Sequence, residues 1–243
     1  MTTKSINISP TTQNETITVA DPRWHWLYWL AGSATAVSLA VIPLSVVAYF
    51  LWPPPDTVVG HFAAFEQNWL IGFIGMDLLY LLGNVLLLPA WLGLYVTLRK
   101  VDESLTAVAL TLGLIAIVAL IASRPMLEMQ QLSQQYTAAT TTAQQTIYLA
   151  AGDAMLAIYH GTAFKAHYLL GTIALLIFSF MMLRSDVFSK RTAYMGIAAN
   201  GVTLGYFIPV VGVYISIFSV LFYAIWYFLI TRRFFQLGHE SRR

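Results

Sequence analysis

The feature that most restricts this chain is a series of apolar runs, each about as long as a bilayer is thick. A helix needs roughly 20 apolar residues to cross a membrane. Six segments qualify: about 27–52, 69–98, 104–121, 162–183, 192–209 and 213–231. The last two are parted only by Pro209 to Gly212, and proline and glycine punctuate helices. Only 10% of the 243 residues are charged and 58% are hydrophobic, whereas a soluble domain carries about 25% charged residues. Much of the surface is therefore expected to face lipid. The fold class read from this pattern is all-α: a polytopic membrane protein with six transmembrane helices. A net charge of +2 gives no reason to expect nucleic acid. Cysteine is absent, which excludes disulfides, thiolate metal sites and thiol nucleophiles.

The basic residues orient the six spans. Of the 13 Lys and Arg, only Arg124 and Lys165 fall on one side of a six-span topology. The others follow spans two, four and six or precede span one, so both termini are expected in the cytoplasm. Trp24, Trp26, Trp29, Trp52 and Trp69 lie near expected interfaces, where indole rings prefer to sit. Residues 1–22 are polar, Thr-rich and aperiodic. They read as a flexible cytoplasmic tail rather than a signal peptide. The transmembrane domain is expected over 23–238, with a second short tail at 239–243. Residues 122–160 form the outer loop between spans three and four. Met126, Leu127, Met129, Leu132 and Tyr136, then Ile147, Leu149, Met155, Leu156 and Tyr159, recur near helical spacing. They predict two short amphipathic helices on the outer face or over the bundle. A plain connector and a lid or binding element are equal alternatives for this loop.

Four stretches carry a resemblance. They are "MDLLYLLGNVLLLPA" in span two, "SRPMLEMQQLSQQY" (Ser123 to Tyr136), "MLRSDVFSKRTAYMGIAANG" (Met182 to Gly201) and "AIWYFLITRRFFQLG" (Ala224 to Gly238). Together they resemble an uncharacterised family of bacterial six-helix membrane proteins, a domain of unknown function. The resemblance covers roughly residues 25–238. It implies the six-span topology and a bacterial plasma membrane, and it transfers no activity or catalytic residue.

Span two holds the most informative polar residues. On one unbroken helix, Asp77, Tyr80, Asn84, Trp91 and Tyr95 share an arc of roughly 60°. Gly72, Gly75, Gly83, Ala90 and Gly93 lie on the other side, where small residues admit a neighbouring helix. Asp77 stands about 12 Å inward from the outer end. A carboxylate at that depth is paired, protonated or functional. Its structural partners would be amides and hydroxyls such as Asn84, Asn200 or Thr203. Its cationic partners on that side are Arg124 and Lys165. A second group gathers on the outer side: His61, His160 and His167, with Glu66, Glu128 and Asp153. These have donor types that zinc accepts, but no HExxH or comparable spacing joins them, so no metal site is assigned. "GVTLG" (Gly201 to Gly205) suits helix packing. No nucleophile elbow, P-loop or dinucleotide fingerprint is present.

The candidate ligand-binding set is therefore Asp77, Tyr80, Asn84, Arg124, His160, Lys165 and His167. The cofactor and any catalytic residues stay unknown. The leading expectation is a non-enzymatic membrane protein that binds a small or lipid-like ligand from the outer side, or serves as a subunit of a membrane complex. The alternative is a membrane-embedded hydrolase with His and Asp near the outer face, and a proton-coupled transporter is third. Expected partners are the lipid bilayer and a membrane-protein partner or second copy, with no nucleic acid.

Overall fold

A computed structural model describes residues 21–242; the expected tail at 1–22 lies almost wholly outside the described residues. These are all-helical, with no strand among them. Five helical stretches are long and apolar enough to cross a membrane: Pro22–Leu51, Leu78–Leu98, Glu103–Ala138, Thr142–Leu183 and Tyr214–Glu240.

The bundle is built from α1 (His25–Leu51), α4 (Leu78–Leu86), α5 (Leu88–Leu98), α6 (Glu103–Ala122), α9 (Thr162–Leu183), α10 (Lys190–Leu204) and α11 (Gly212–Glu240). Asp102 caps α6 by accepting from the Leu105 amide, and Ser189 caps α10 through the Thr192 amide. Each satisfies a donor that the first helical turn leaves free. The core joins Trp91, Phe178, Trp226 and Phe234 with smaller residues between them. Close approach depends on glycine. A Cβ on Gly113 would stand 2.1 Å from the Trp91 ring, and one on Gly196 would stand 2.3 Å from Ser179 Oγ. Gly205 packs on Ile215, but Gly201 has nothing within 4 Å. Only the second glycine of "GVTLG" therefore serves packing within the chain.

The remaining helices form a cap at one end. These are α2 (Val58–Gln67), α3 (Trp69–Gly75), α7 (Met126–Ala138) and α8 (Thr142–Tyr159). They share a second, smaller core of Val58, Phe62, Phe65, Met76, Met126 and Met129. Ser133 on α7 donates to the Phe62 carbonyl of α2 at 2.9 Å. The first and last described helices meet at the end of the bundle away from the cap, where His25 Nδ1 lies 3.3 Å from the Gly238 carbonyl.

Three expectations change here. Span two is not one helix: it is α3, α4 and α5, interrupted at Asp77 and again after Leu86. Asp77 adopts φ 64°, ψ 31°, a left-handed conformation that Asp tolerates better than most residues. Pro89, in the first turn of α5, has no N–H to continue the ladder of α4. The expected span 192–209 is the 15-residue α10 followed by a 3-10 turn at Gly205–Phe207. At 1.5 Å per residue α10 is about 22 Å long, short of a hydrocarbon core near 30 Å. The expected tail from 239 is shortened, because α11 continues to Glu240.

Candidate functional site

Two polar clusters lie at and just below the boundary between cap and bundle. The first occupies the boundary itself, which the chain crosses four times, and gathers residues from three of those crossings. Asp77 sits at the α3–α4 joint, Arg124 at the α6–α7 joint and Tyr159 at the α8–α9 joint. Arg124 Nη2 donates to Asp77 Oδ2 at 3.1 Å, and Tyr159 Oη donates to the same oxygen. Arg124 Nη1 donates to Ser123 Oγ at 2.9 Å. The guanidinium carbon stands 4.4 Å from the Tyr159 ring centroid and 4.3 Å from that of Phe164. Such stacking stabilises a cation that has left water. Burial is unequal: the Arg124 side chain is 1% exposed and that of Asp77 40%. Arg124 Nε is buried without a partner. The arginine therefore depends on Asp77 far more than Asp77 depends on it.

The second cluster lies one layer deeper, inside the bundle. Tyr80 on α4 and His167 on α9 are joined at 3.0 Å between Oη and Nε2. His167 Nδ1 faces the Ala116 carbonyl at 2.9 Å. A carbonyl only accepts, so Nδ1 carries a proton, and in the neutral ring Nε2 then accepts from the tyrosine hydroxyl. Both side chains line a cavity of about 260 Å³ bounded by α1, α4, α5, α6, α9, α10 and α11. Asn84 and Trp91 line it too. Asn84 Nδ2 donates to the Tyr80 carbonyl of its own helix at 2.9 Å. From α9 and α11, Tyr168 and Ser216 approach each other at 3.3 Å. Ser38 on α1 donates to the Gly83 carbonyl at 3.0 Å and holds α1 against α4.

The structure thus divides the sequence-derived set. Asp77 and Arg124 meet at the joint. Tyr80, Asn84 and His167 meet at the cavity. The break at Asp77 separates it from the arc it would share with Tyr80 and Asn84 on an unbroken helix. Asn200 and Thr203 are not its partners: Asn200 accepts from Tyr223 Oη at 2.7 Å, and Thr203 donates to the Ala199 carbonyl. Lys165 is exposed and forms no ion pair among the described residues. His160 is exposed beyond the end of α8, with Nδ1 near the Leu156 carbonyl. His61 is buried in the cap at 4% exposure, and burial holds its pKa below the ordinary histidine value. The three histidines do not converge, and no three His, Asp or Glu side chains among the described residues could share a metal ion.

Sequence reasoning missed Tyr159 and Phe164, which enclose the arginine. It also missed the serines of α1 and α11. The available signal was positional: Arg124 and Tyr159 close the two ends of the 122–160 loop, so a compact loop brings them together.

An all-helical bundle with five apolar helices of membrane-crossing length, topped by a polar-jointed cap, fits a membrane protein. No family model, curated protein or solved structure matches the chain.

Proposed function

We propose that the protein is a six-span membrane protein that binds a small lipid-like ligand in the cavity beneath its cap, without chemistry on it. The carrying observation is the cavity: an internal space of about 260 Å³ with a largely apolar lining and a few converging polar groups, the usual character of a ligand site. It is near the small end of such sites, so it suits part of a ligand rather than a large one.

Six crossings are supported by the ends of the chain. His25 and Gly238 are neighbours, so the number of passes between them is even. Five long helices and the short α10, packed between α9 and α11, give six. The positions of Lys and Arg then favour cytoplasmic termini and an outer cap in a bacterial plasma membrane. Because the chain has no cysteine, a single introduced one is unique. A membrane-impermeant thiol reagent applied to intact cells should label Gln135→Cys in the cap and spare Glu103→Cys at the start of α6. The reverse pattern overturns the orientation.

The binding reading has its own test. Lipid extracted from the purified protein should include a species at about one per chain that a bulky cavity residue, Val220→Trp, removes. Equal lipid content in a folded Val220→Trp protein defeats it.

A further inference from the structure

We infer that the cavity selects an uncharged lipid head, one bearing a hydroxyl or carbonyl, and discriminates against its phosphorylated or carboxylated counterpart. The inference rests on the ligand-binding reading above and adds the chemistry of the head group. No Lys, Arg, Asp or Glu lines the cavity among the described residues. Its polar groups are phenols, hydroxyls, one amide and one imidazole. These pair with alcohols and carbonyls through neutral hydrogen bonds, and none carries a permanent charge. Taking an unpaired ion out of water costs several kcal/mol, which such groups do not return.

The nearest cation is not available either. Arg124 is held by Asp77 and lies under the Phe164 ring. Phe164 in turn lies at 6.4 Å from His167, nearly parallel to it, and Arg124 itself is not among the residues that line the cavity. Several neutral groups retain capacity. The Asn84 amide uses one N–H on the Tyr80 carbonyl and has no partner for its oxygen among the described residues. Tyr168 and Ser216 are joined only by a long contact of 3.3 Å. These groups face the lumen from α4, α9 and α11.

Access is sideways. Val46 on α1 lines the cavity and is 47% exposed, so the space reaches the flank of the bundle along α1. One edge of α1 is closed: Ser38 bonds α4, and a Cβ on Gly83 would meet Val41 at 3.4 Å. Toward α11, tight contact is made near the far end, through Gly32 with Phe235 and Trp29 with Gly238. At cavity depth, residues 38–46 of α1 and 216–227 of α11 both line the space instead. Pro43 lies within that stretch and removes a backbone hydrogen bond from α1, so the helix can bend there. A head group can sit inside while its hydrocarbon tail leaves between α1 and α11.

The test uses the full chain in detergent, with dioleoylglycerol and dioleoyl phosphatidic acid as probes and native mass spectrometry as the readout. These share their tails and differ in the phosphate. The expected result is a one-to-one dioleoylglycerol adduct, with phosphatidic acid bound more than about tenfold more weakly. Val220→Trp should abolish the dioleoylglycerol adduct, and Asn84→Leu should reduce it severalfold while leaving the melting temperature within a few degrees. Equal binding, or a preference for phosphatidic acid, overturns the neutral-head inference and leaves a lipid site standing. An adduct that survives Val220→Trp is surface lipid and overturns it as well. Binding of neither probe removes the inference and the ligand-binding reading together.

Discussion

The two polar clusters lie within a few residues of each other along α4 and answer opposite demands. At the joint, a full positive charge is buried and every neighbour is arranged around it: a carboxylate, two aromatic faces and a hydroxyl. At the cavity no Lys, Arg, Asp or Glu is present among the described residues, the best-wired pair holds itself in place, and other groups face the lumen. A buried charge tolerates little freedom, because losing one partner leaves an ion without compensation. Neutral donors and acceptors beside a cavity lose only a modest hydrogen bond when altered. Under the proposed function, the joint serves structure and the cavity serves binding. Their responses to mutation should differ in kind: stability at the joint, ligand occupancy at the cavity.

The largest effect should come from Asp77→Asn. Asparagine also tolerates the left-handed backbone at this position, so the change isolates the charge from the conformation. Arg124, 1% exposed, would lose its only carboxylate among the described residues, and about 3–5 kcal/mol of stability should go with it. Thermal unfolding in detergent reads this directly. The double variant Asp77→Asn with Arg124→Met should recover most of the loss, because a buried pair replaced by apolar packing is often neutral or better. If the double variant is no more stable than Asp77→Asn, the ion pair is not what closes the joint. Tyr159→Phe comes next. It keeps the ring against the guanidinium and removes one donor to Asp77 Oδ2. The loss should be about 1.5–3 kcal/mol, the range for a hydrogen bond to a charged group. No change on unfolding would show that Arg124 alone holds the carboxylate.

This division also explains which parts were legible beforehand. Span four was expected over 162–183 and is α9, Thr162–Leu183; span three was expected over 104–121 and is α6, Glu103–Ala122. Both are long apolar runs bounded by polar or glycine residues, and hydropathy reads those ends well. Span two was not legible, because its interruption at Asp77 is a single residue's backbone conformation inside an apolar run. Averaged hydropathy has no term for a left-handed φ. The second interruption did leave a mark, Pro89, whose place in the first turn of a new helix is a familiar start signal. Candidate partners followed the same rule. Sidedness reduced the cations near Asp77 to Arg124 and Lys165, but choosing between them needed the loop ends brought together in space. The cavity was illegible for another reason. Ser38, Tyr80, His167 and Ser216 come from four helices, and no local spacing connects them.

At the cavity, Tyr80→Phe should cost only about 0.5–1.5 kcal/mol, because it removes one neutral hydrogen bond, to His167. Its consequence should appear instead in ligand occupancy, read as the fraction of chains carrying dioleoylglycerol. A stability loss as large as that of Asp77→Asn would dissolve the distinction between the clusters.

The smallest effect concerns the cap side of the joint and depends on pH. His61 is buried on α2, and its Nδ1 has no partner among the described residues. Burial disfavours the charged form and lowers its pKa; the charges acting on it include His160, Asp56 and Asp77. The unfolded segment takes up a proton near pH 6.5, whereas the folded cap does so only at lower pH. Below about pH 6.5 the unfolded form is therefore favoured in proportion to the protons it alone has bound. The cap should be at full stability at pH 7.5 and weaker at pH 5.5. Amide hydrogen exchange in α2 and α7, corrected for the intrinsic pH dependence of exchange, should report the weakening. His61→Leu should flatten the dependence, because it removes the titrating group and leaves an apolar side chain in an apolar core. If the pH dependence survives His61→Leu unchanged, His61 is not the group that weakens the cap at low pH.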